Sequence, residues 1–107
     1  MSSPLASFLK ISAYVDNRVL AAATAETFTK PSGYSSAVIT VDTDCYIRRD
    51  GTAAVPAADV TDGTGSILIP AGQSRIIDLT DSPGATPLAS FSIVCAGAAI
   101  TSVEWFS

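Results

Sequence analysis

Short apolar runs separated by turn-forming residues are the feature that most constrains the fold of this chain. The runs are rich in β-branched and aromatic residues, and Gly, Pro, Asp or Ser interrupts them about every eight to twelve residues. This spacing is typical of a β-sandwich or barrel. An amphipathic helix needs apolar residues at i, i+3, i+4 and i+7, and only residues 1–10 and 19–25 approach that pattern. The sequence therefore predicts an all-β fold.

About eight short strands follow from these runs. In residues 34–41, Ala37, Ile39 and Val41 share one face, which we expect to be buried. In residues 45–49, Cys45 and Ile47 face inward. The predicted strands are a first extended piece at 12–17, followed by 18–24, 26–29, 34–41, 45–49, 67–69, 75–79, 90–96 and 100–106.

The middle of the chain predicts a hairpin preceded by a long loop. The runs 67–69 and 75–79 flank Pro-Ala-Gly, where Pro70 suits the second position of a type I turn and Gly72 the fourth. Residues 50–65 are too rich in small and turn-forming residues for regular structure. Because long loops in small domains often carry function, we expect this loop to be a contact surface. Deletion of residues 52–59 is then expected to leave the fold intact.

Eight short antiparallel strands favour a jelly-roll-like sandwich or barrel, because a closed or doubled sheet reduces exposed edges. An immunoglobulin-like sandwich is the alternative, since its domains tolerate the separation between Cys45 and Cys95. Against it, the single tryptophan, Trp105, follows the second cysteine. With 107 residues the chain suits one core. We assign residues 1–17 to an N-terminal arm or first extended segment, and residues 18–107 to a single β domain.

The two cysteines are too few for a disulfide framework. The first residues do not form a typical secretory leader, because Pro4 and Lys10 interrupt the apolar segment. We therefore expect reduced, half-buried thiols. A disulfide is the alternative if the strands of the two cysteines face each other.

Composition favours self-association and disfavours nucleic acid and membrane as partners. Hydrophobic residues make up 48% of the chain and charged residues 15%, below the roughly 25% usual for soluble domains. A surface with so few charges is often covered by further subunits. The net charge is −4, and the cations are scattered except for Arg48 and Arg49, which argues against phosphate binding. No apolar run approaches the roughly 18 residues of a membrane-spanning helix.

The sequence indicates no catalytic, cofactor-binding or metal-binding residue. Histidine, the commonest general base and metal ligand, is absent from the chain. Asp42 and Asp44 would raise the pKa of the Cys45 thiol and make it a poor nucleophile. Asp42 and Asp44 are better explained as caps of backbone amides in turns than as calcium ligands. No phosphate-binding glycine motif is present. We therefore expect a protein that is not an enzyme.

The candidate contact residues come from three parts of the chain. Arg48 and Arg49 form a possible ionic patch, and the following loop carries exposed small and apolar residues. The aromatic pair near the end of the chain suggests a core or interface anchor, or a platform for sugar. The seven candidates are Arg48, Arg49, Thr52, Val55, Val60, Trp105 and Phe106.

The order of these features resembles that of small β-rich virion proteins of tailed bacteriophages. The resemblance is carried by YSSAVITVDTDCYIRRDGTAAVPAADVTDGTGSILIPAGQSRIIDL and ASFSIVCAGAAITSVEWFS, which together span residues 34–79 and 89–107. In that family a D-C-Y-I-R strand leads to an Ala/Gly/Thr-rich loop. An L-x-P-A-G turn, an I-D-L strand and two terminal strands of the F-S-I-V and V-E-W kind follow.

The resemblance implies a capsid decoration, or cement, protein with a jelly-roll-like domain. Such proteins sit over the joints between capsomers as trimers or dimers, so the implied partners are further copies of the chain and the major capsid protein. The implied location is the virion, assembled in the bacterial host cytoplasm. A neck, head-tail or tail component is one alternative. A β-sandwich module that recognises carbohydrate or a host surface is another.

Overall fold

Eight antiparallel strands form two four-stranded sheets in the computed structural model, which describes residues 14–49, 51–79 and 89–106. The described residues contain no helix, which confirms the predicted all-β class. The strands are β1 (Tyr14–Leu20), β2 (Glu26–Thr29), β3 (Ser36–Val41), β4 (Cys45–Arg48), β5 (Ile67–Ile69), β6 (Ser74–Asp78), β7 (Ser90–Cys95) and β8 (Ala99–Phe106).

The strand pairing is nested, which is the pattern of a jelly roll. β1 pairs with β8, β2 with β7, β3 with β6 and β4 with β5, as if one long hairpin had been rolled up. Two further pairings, β3 with β8 and β4 with β7, complete the sheets. Sheet I has the order β1-β8-β3-β6 and sheet II the order β2-β7-β4-β5. The predicted jelly-roll-like sandwich is therefore confirmed, and the immunoglobulin-like alternative, which groups its strands differently, does not apply.

The predicted hairpin between residues 67–69 and 75–79 is wrong. β5 pairs with β4 in sheet II and β6 pairs with β3 in sheet I, so the turn between them carries the chain from one sheet to the other. The Gln73 amide donates to the Pro70 carbonyl at 3.0 Å. Pro70 is thus the first residue of the turn and Gly72 the third. Gly72 has a φ of 75°, a conformation that favours glycine and that a type I turn does not use.

The amino-terminal strand also differs from the prediction, because β1 runs without a break from Tyr14 to Leu20. The predicted boundary after Asn17 therefore falls inside a strand, and residues 1–13 of the predicted segment 1–17 lie outside the described residues. The inward-facing residues Asp16 and Arg18 of this strand both have polar partners. Asp16 accepts a hydrogen bond from Trp105 Nε1 at 3.1 Å, and Arg18 donates to Glu26 at 3.3 Å and to the Thr27 carbonyl at 3.0 Å.

The core lies between the sheets and follows the alternation of the strands. The predicted inward faces of β3 and β4 are confirmed, because every second side chain there is buried. At the centre, the Phe91 ring stacks on Trp105 with centroids 5.5 Å apart and contacts Phe28 at 5.3 Å. Aromatic pairs of this kind contribute about 0.5–1.5 kcal/mol each beyond the burial of their surface. The rings therefore join β7 to both β2 and β8.

A disulfide joins Cys45 of β4 to Cys95 of β7, so the prediction of reduced thiols is wrong and its alternative holds. The two residues are directly opposite in the strand register. Their Cα atoms are 4.3 Å apart, close to the roughly 4.5 Å of a non-hydrogen-bonded antiparallel pair, where side chains approach most closely. The error arose because the prediction used cysteine number and compartment, whereas pairing is determined by strand register.

Candidate interaction surfaces

Trp105 is a core residue, which corrects its assignment to a contact surface. Its side chain is 1% exposed, its ring stacks on Phe91, and its indole N–H is bound by Asp16. Strand alternation explains the difference between the two terminal aromatic residues. Trp105 faces the core, whereas the half-buried Phe106 faces away from it. Only Phe106 of this pair lies on the surface of the protein.

The two arginines do not form one ionic patch, because they point to opposite sides of sheet II. Arg48 faces outward on β4 and its guanidinium lies against Gly51, where an added Cβ would come within 3.0 Å of Arg48 Cζ. Arg49 extends towards sheet I and donates to the Asp78 carbonyl at 2.6 Å. Arg49 therefore ties the end of β4 to the end of β6.

A cleft of about 360 Å³ lies beside Arg49. The polar side chains that the described residues contribute to it are hydroxyls and one guanidinium, that of Arg49. None of the described lining residues carries a carboxylate or a thiol. The lining residues are Thr27, Arg49, Gly51, Thr52, Ala89, Ser90, Phe91 and Ser92.

The loop of residues 51–66 has no regular structure, as predicted, but its beginning is anchored. Ala53 is 3% exposed and its amide donates to Ser92 Oγ at 2.9 Å, while the Ala54 amide donates to Ser66 Oγ at 3.1 Å. The loop therefore lies over the outer side of β7. This explains why Ser92 is buried although it points away from the core. A deletion of residues 52–59 would uncover Ser92, so the expectation that it leaves the fold intact is not supported.

The rest of this loop is exposed. Thr52 is exposed, and Val55 and Val60 are 36% and 49% exposed. Farther along, the Thr64 hydroxyl and amide both donate to Asp62 Oδ1, at 2.6 and 3.0 Å. The hydroxyl hydrogen bond, followed by the amide hydrogen bond, holds the pKa of Asp62 below its ordinary value. The loop thus presents two valines and a stabilised carboxylate to solvent.

Sequence analysis missed an extended surface with exposed apolar side chains, which is the outer side of sheet I. We call it the sheet I face. Four large apolar side chains are exposed on it: Val19 at 76%, Ile76 at 67%, Ile100 at 55% and Val15 at 41%. The strand registers assign the following residues to this face: Val15, Asn17, Val19, Ser36, Val38, Thr40, Ser74, Ile76, Asp78, Ile100, Ser102, Glu104 and Phe106.

The sheet I face carries two carboxylates and no cation. Glu104 and Asp78 lie towards one end of the strands, and a row of small polar residues crosses the middle. In that row Thr40 and Ser74 share a hydrogen bond of 2.7 Å between their hydroxyls. The signal for this face was present in the sequence as adjacent apolar pairs, such as Ile76 with Ile77. In a strand one member of such a pair must point outward.

Asp42 and Asp44 bind backbone amides, as their position in turns predicted. Asp42 Oδ1 accepts from the Ile100 amide at 2.7 Å, and Asp44 Oδ1 accepts from the Ala71 amide at 2.7 Å. These bonds fasten the β3–β4 turn to its neighbours. Within the described ranges, no group of three or more Asp, Glu, Cys or His side chains is placed to hold a metal ion.

The same ranges contain no helix long and apolar enough to cross a membrane. Comparison with protein-family models, with curated proteins and with solved structures found no match to this chain. A function is therefore inferred from the fold and surfaces of the chain itself.

Proposed function

We propose that this chain is a structural, non-enzymatic virion protein that decorates a tailed-phage capsid. In this proposal it binds as a homo-oligomer at the joints between capsomers and stabilises the shell. The observation that carries the proposal is the sheet I face, with Val19, Ile76 and Ile100 all more than half exposed and no cation among its residues. Exposed apolar side chains that are grouped on one face of a small domain, here on either side of the polar row, mark an interaction site.

The physical basis is the repetition of a modest contact. Apolar burial contributes about 25 cal/mol per Å², and most of that gain is offset by lost motion and by the desolvation of polar groups. A single copy is then held weakly. Contacts made by many copies, linked to one another on a symmetric shell, add to a strong lattice. A rigid β-sandwich suits this role because little conformational entropy is lost when it binds.

The disulfide is compatible with a virion location. Disulfides persist on virion and cell surfaces but are rare in the cytosol. We propose that the chain folds and assembles in the bacterial cytoplasm and that dissolved oxygen oxidises Cys45 and Cys95 after the particle is released, taking up the two electrons and two protons that the thiols lose. The strand register already places them side by side, so oxidation requires no rearrangement of the sheets.

The test uses capsids of the encoding phage prepared without this protein. Purified protein is added, and its co-sedimentation and the temperature at which the capsids open are measured. We expect binding and a raised opening temperature. A wild-type protein that stays in the supernatant would refute the proposed function.

Two matched variants test whether the sheet I face makes the contact. Ile100→Ser removes an exposed apolar side chain from this face, and Val60→Ser removes one from the 51–66 loop. Burial of such a side chain contributes about 1.5–3 kcal/mol, so Ile100→Ser is expected to weaken capsid binding at least tenfold. Val60→Ser is expected to bind like the wild type. The reverse result would place the contact on the loop.

The cleft supports a second candidate function, recognition of a carbohydrate. Its volume of about 360 Å³ suits a small ligand, and the hydroxyls of Thr27, Ser90 and Ser92 with the Arg49 guanidinium offer polar partners. Binding on a glycan array that Thr27→Val abolishes would favour this function. Thr29→Val is the matched control, because Thr29 is exposed on the same strand and does not line the cleft.

A further inference from the structure

Strand β6 forms an edge of sheet I, and its backbone alternates between bound and unbound positions. The Leu79 amide donates to Ser35 and the Val41 amide donates to Gln73, so residues 73, 75, 77 and 79 direct their backbone groups towards β3. The intervening residues, 74, 76 and 78, direct theirs away from β3. Among the described strands none pairs with this side of β6. Ile76 thus presents its backbone N–H, its carbonyl oxygen and an exposed side chain together at this edge of sheet I.

The three other sheet edges are less suited to a partner strand. β2 has four residues and β5 has three, and short edges limit pairing. β1 is longer, but two of its residues, Asp16 and Arg18, are charged and point inward, a device that protects edge strands. β6 has five residues, no proline and one charged residue, Arg75, at its inward positions.

We propose that two copies of this chain pair through β6, antiparallel, about a twofold axis at Ile76. The Ile76 amide of each copy donates to the Ile76 carbonyl of the other, and the two side chains meet on the sheet I face. Sheet I then continues through the axis as one eight-stranded sheet. The proposal rests on the proposed function, because it identifies the contact by which the homo-oligomer forms.

The strand that pairs with β6 is β6 of a second copy, because the residues of β6 are complementary to themselves in this register. The register places Asp78 of one copy opposite Ser74 of the other, and Arg75 opposite Ile77. No like charges face each other directly, and the only residue that meets itself is the apolar Ile76. The Asp78 carbonyl already accepts a hydrogen bond from Arg49, so the Ile76 pair provides the central contact.

The first test measures the molar mass of the full chain by sedimentation equilibrium over a range of concentrations. We expect a reversible dimer with twice the chain mass of 10.9 kDa. A protein that remains monomeric at about 1 mM, or that forms trimers, would overturn the proposal. At that concentration an edge contact of millimolar affinity is already detectable.

The second test removes one backbone donor. Proline is tolerated at an edge strand where the N–H faces solvent, so Ile76→Pro removes the proposed donor and leaves the ladder to β3 in place. Val19→Pro is the matched control, because Val19 is exposed on the same face. The backbone of Ile100, the partner of Val19 in β8, bonds towards β3. The Val19 amide therefore points away from β8, to the edge of the sheet formed by β1. We expect Ile76→Pro to be monomeric and Val19→Pro to dimerise. The opposite pattern overturns the proposal.

A third measurement does not depend on tolerance of proline. Ile76→Cys places two thiols across the axis, at the roughly 5.5 Å Cα separation of a hydrogen-bonded pair, within the range of a disulfide. Under mild oxidation we expect a covalent dimer from Ile76→Cys and none from the equally accessible Val19→Cys; equal cross-linking of both would overturn the proposal.

The tests of the β6 dimer and of capsid decoration can fail independently. Monomers that bind capsids would refute only the β6 dimer, and dimers that do not bind capsids would refute only the decoration function.

Discussion

Reduction of the Cys45–Cys95 disulfide is expected to destabilise the protein by about 4 kcal/mol. The bond closes a loop with a sequence separation of 50 residues. In the chain-entropy model, closing a loop of this length removes about 14 cal/mol/K from the unfolded ensemble, which is about 4 kcal/mol at 25 °C. Small domains are stable by only 5–15 kcal/mol. The cross-link therefore contributes a large share of the free energy of unfolding.

The assay is urea unfolding followed by circular dichroism, with and without a reductant. With a slope of about 2 kcal/mol per molar urea, the midpoint is expected to fall by about 2 M. An unfolding entropy of about 2.1 cal/mol/K per residue predicts a fall in Tm of about 18 °C. Both cysteines are fully buried, so dithiothreitol should react only when the protein unfolds. The rate of reduction should therefore follow the rate of global unfolding.

Comparison of the oxidised and reduced wild type measures the effect of the cross-link apart from that of core packing, because both forms retain the two cysteine sulfur atoms in the core. A variant with both Cys45→Ala and Cys95→Ala should be slightly less stable than the reduced protein and insensitive to reductant. If reduction changes the free energy of unfolding by less than about 1 kcal/mol, loop closure does not restrict the unfolded chain as the entropy model requires. Rapid reduction of the native protein would contradict the burial of the pair.

Three further predictions concern the loops. Ala23 has a φ of 56°, so Ala23→Gly should relieve about 1 kcal/mol of strain and raise Tm slightly, since the greater entropy of unfolded glycine offsets part of the gain. Thr64→Ala should raise the pKa of Asp62 towards its ordinary value in an NMR titration. In the wild type the lowered pKa stabilises the fold above the ordinary pKa, and this contribution is lost as the pH falls through the folded value. Ser92→Ala removes the acceptor of the Ala53 amide and should cost about 1–3 kcal/mol, with faster hydrogen exchange at that amide.

Sequence alone predicted which side of a strand is buried where the strand has one apolar face. It failed to predict which strands pair, because pairing depends on residues far apart in the chain. The inward faces of β3 and β4 followed from alternation, because Ile39 stands between Val38 and Thr40, and Ile47 between Tyr46 and Arg48. The partner of β5 could not be read from its own residues. An apolar run of three residues suits several neighbours, and the nested pairing is fixed only by the whole sandwich.

The candidate surfaces show the same division. Exposed loop residues such as Val55 and Val60 were found because polar and turn-forming residues surround them. The sheet I face was missed because Ile76 and Ile100 adjoin inward apolar residues, and adjacent apolar residues read as core from sequence. Trp105 was ambiguous for a related reason. Its neighbour Phe106 is also aromatic, and only the register with β1 and β3 shows which ring faces inward.

The proposed β6 pairing and the proposed capsid contact are linked by the symmetry of an antiparallel sheet. The twofold axis that relates two antiparallel strands is perpendicular to the sheet. Two copies joined through β6 therefore turn their sheet I faces to the same side, whereas a face-to-face dimer would bury those faces against each other. The 51–66 loop covers part of the opposite side, at Ser92. The proposed β6 pairing would thus double the apolar face and leave it open to the proposed shell partner, so that the second face would bind at a high effective concentration once the first is in contact.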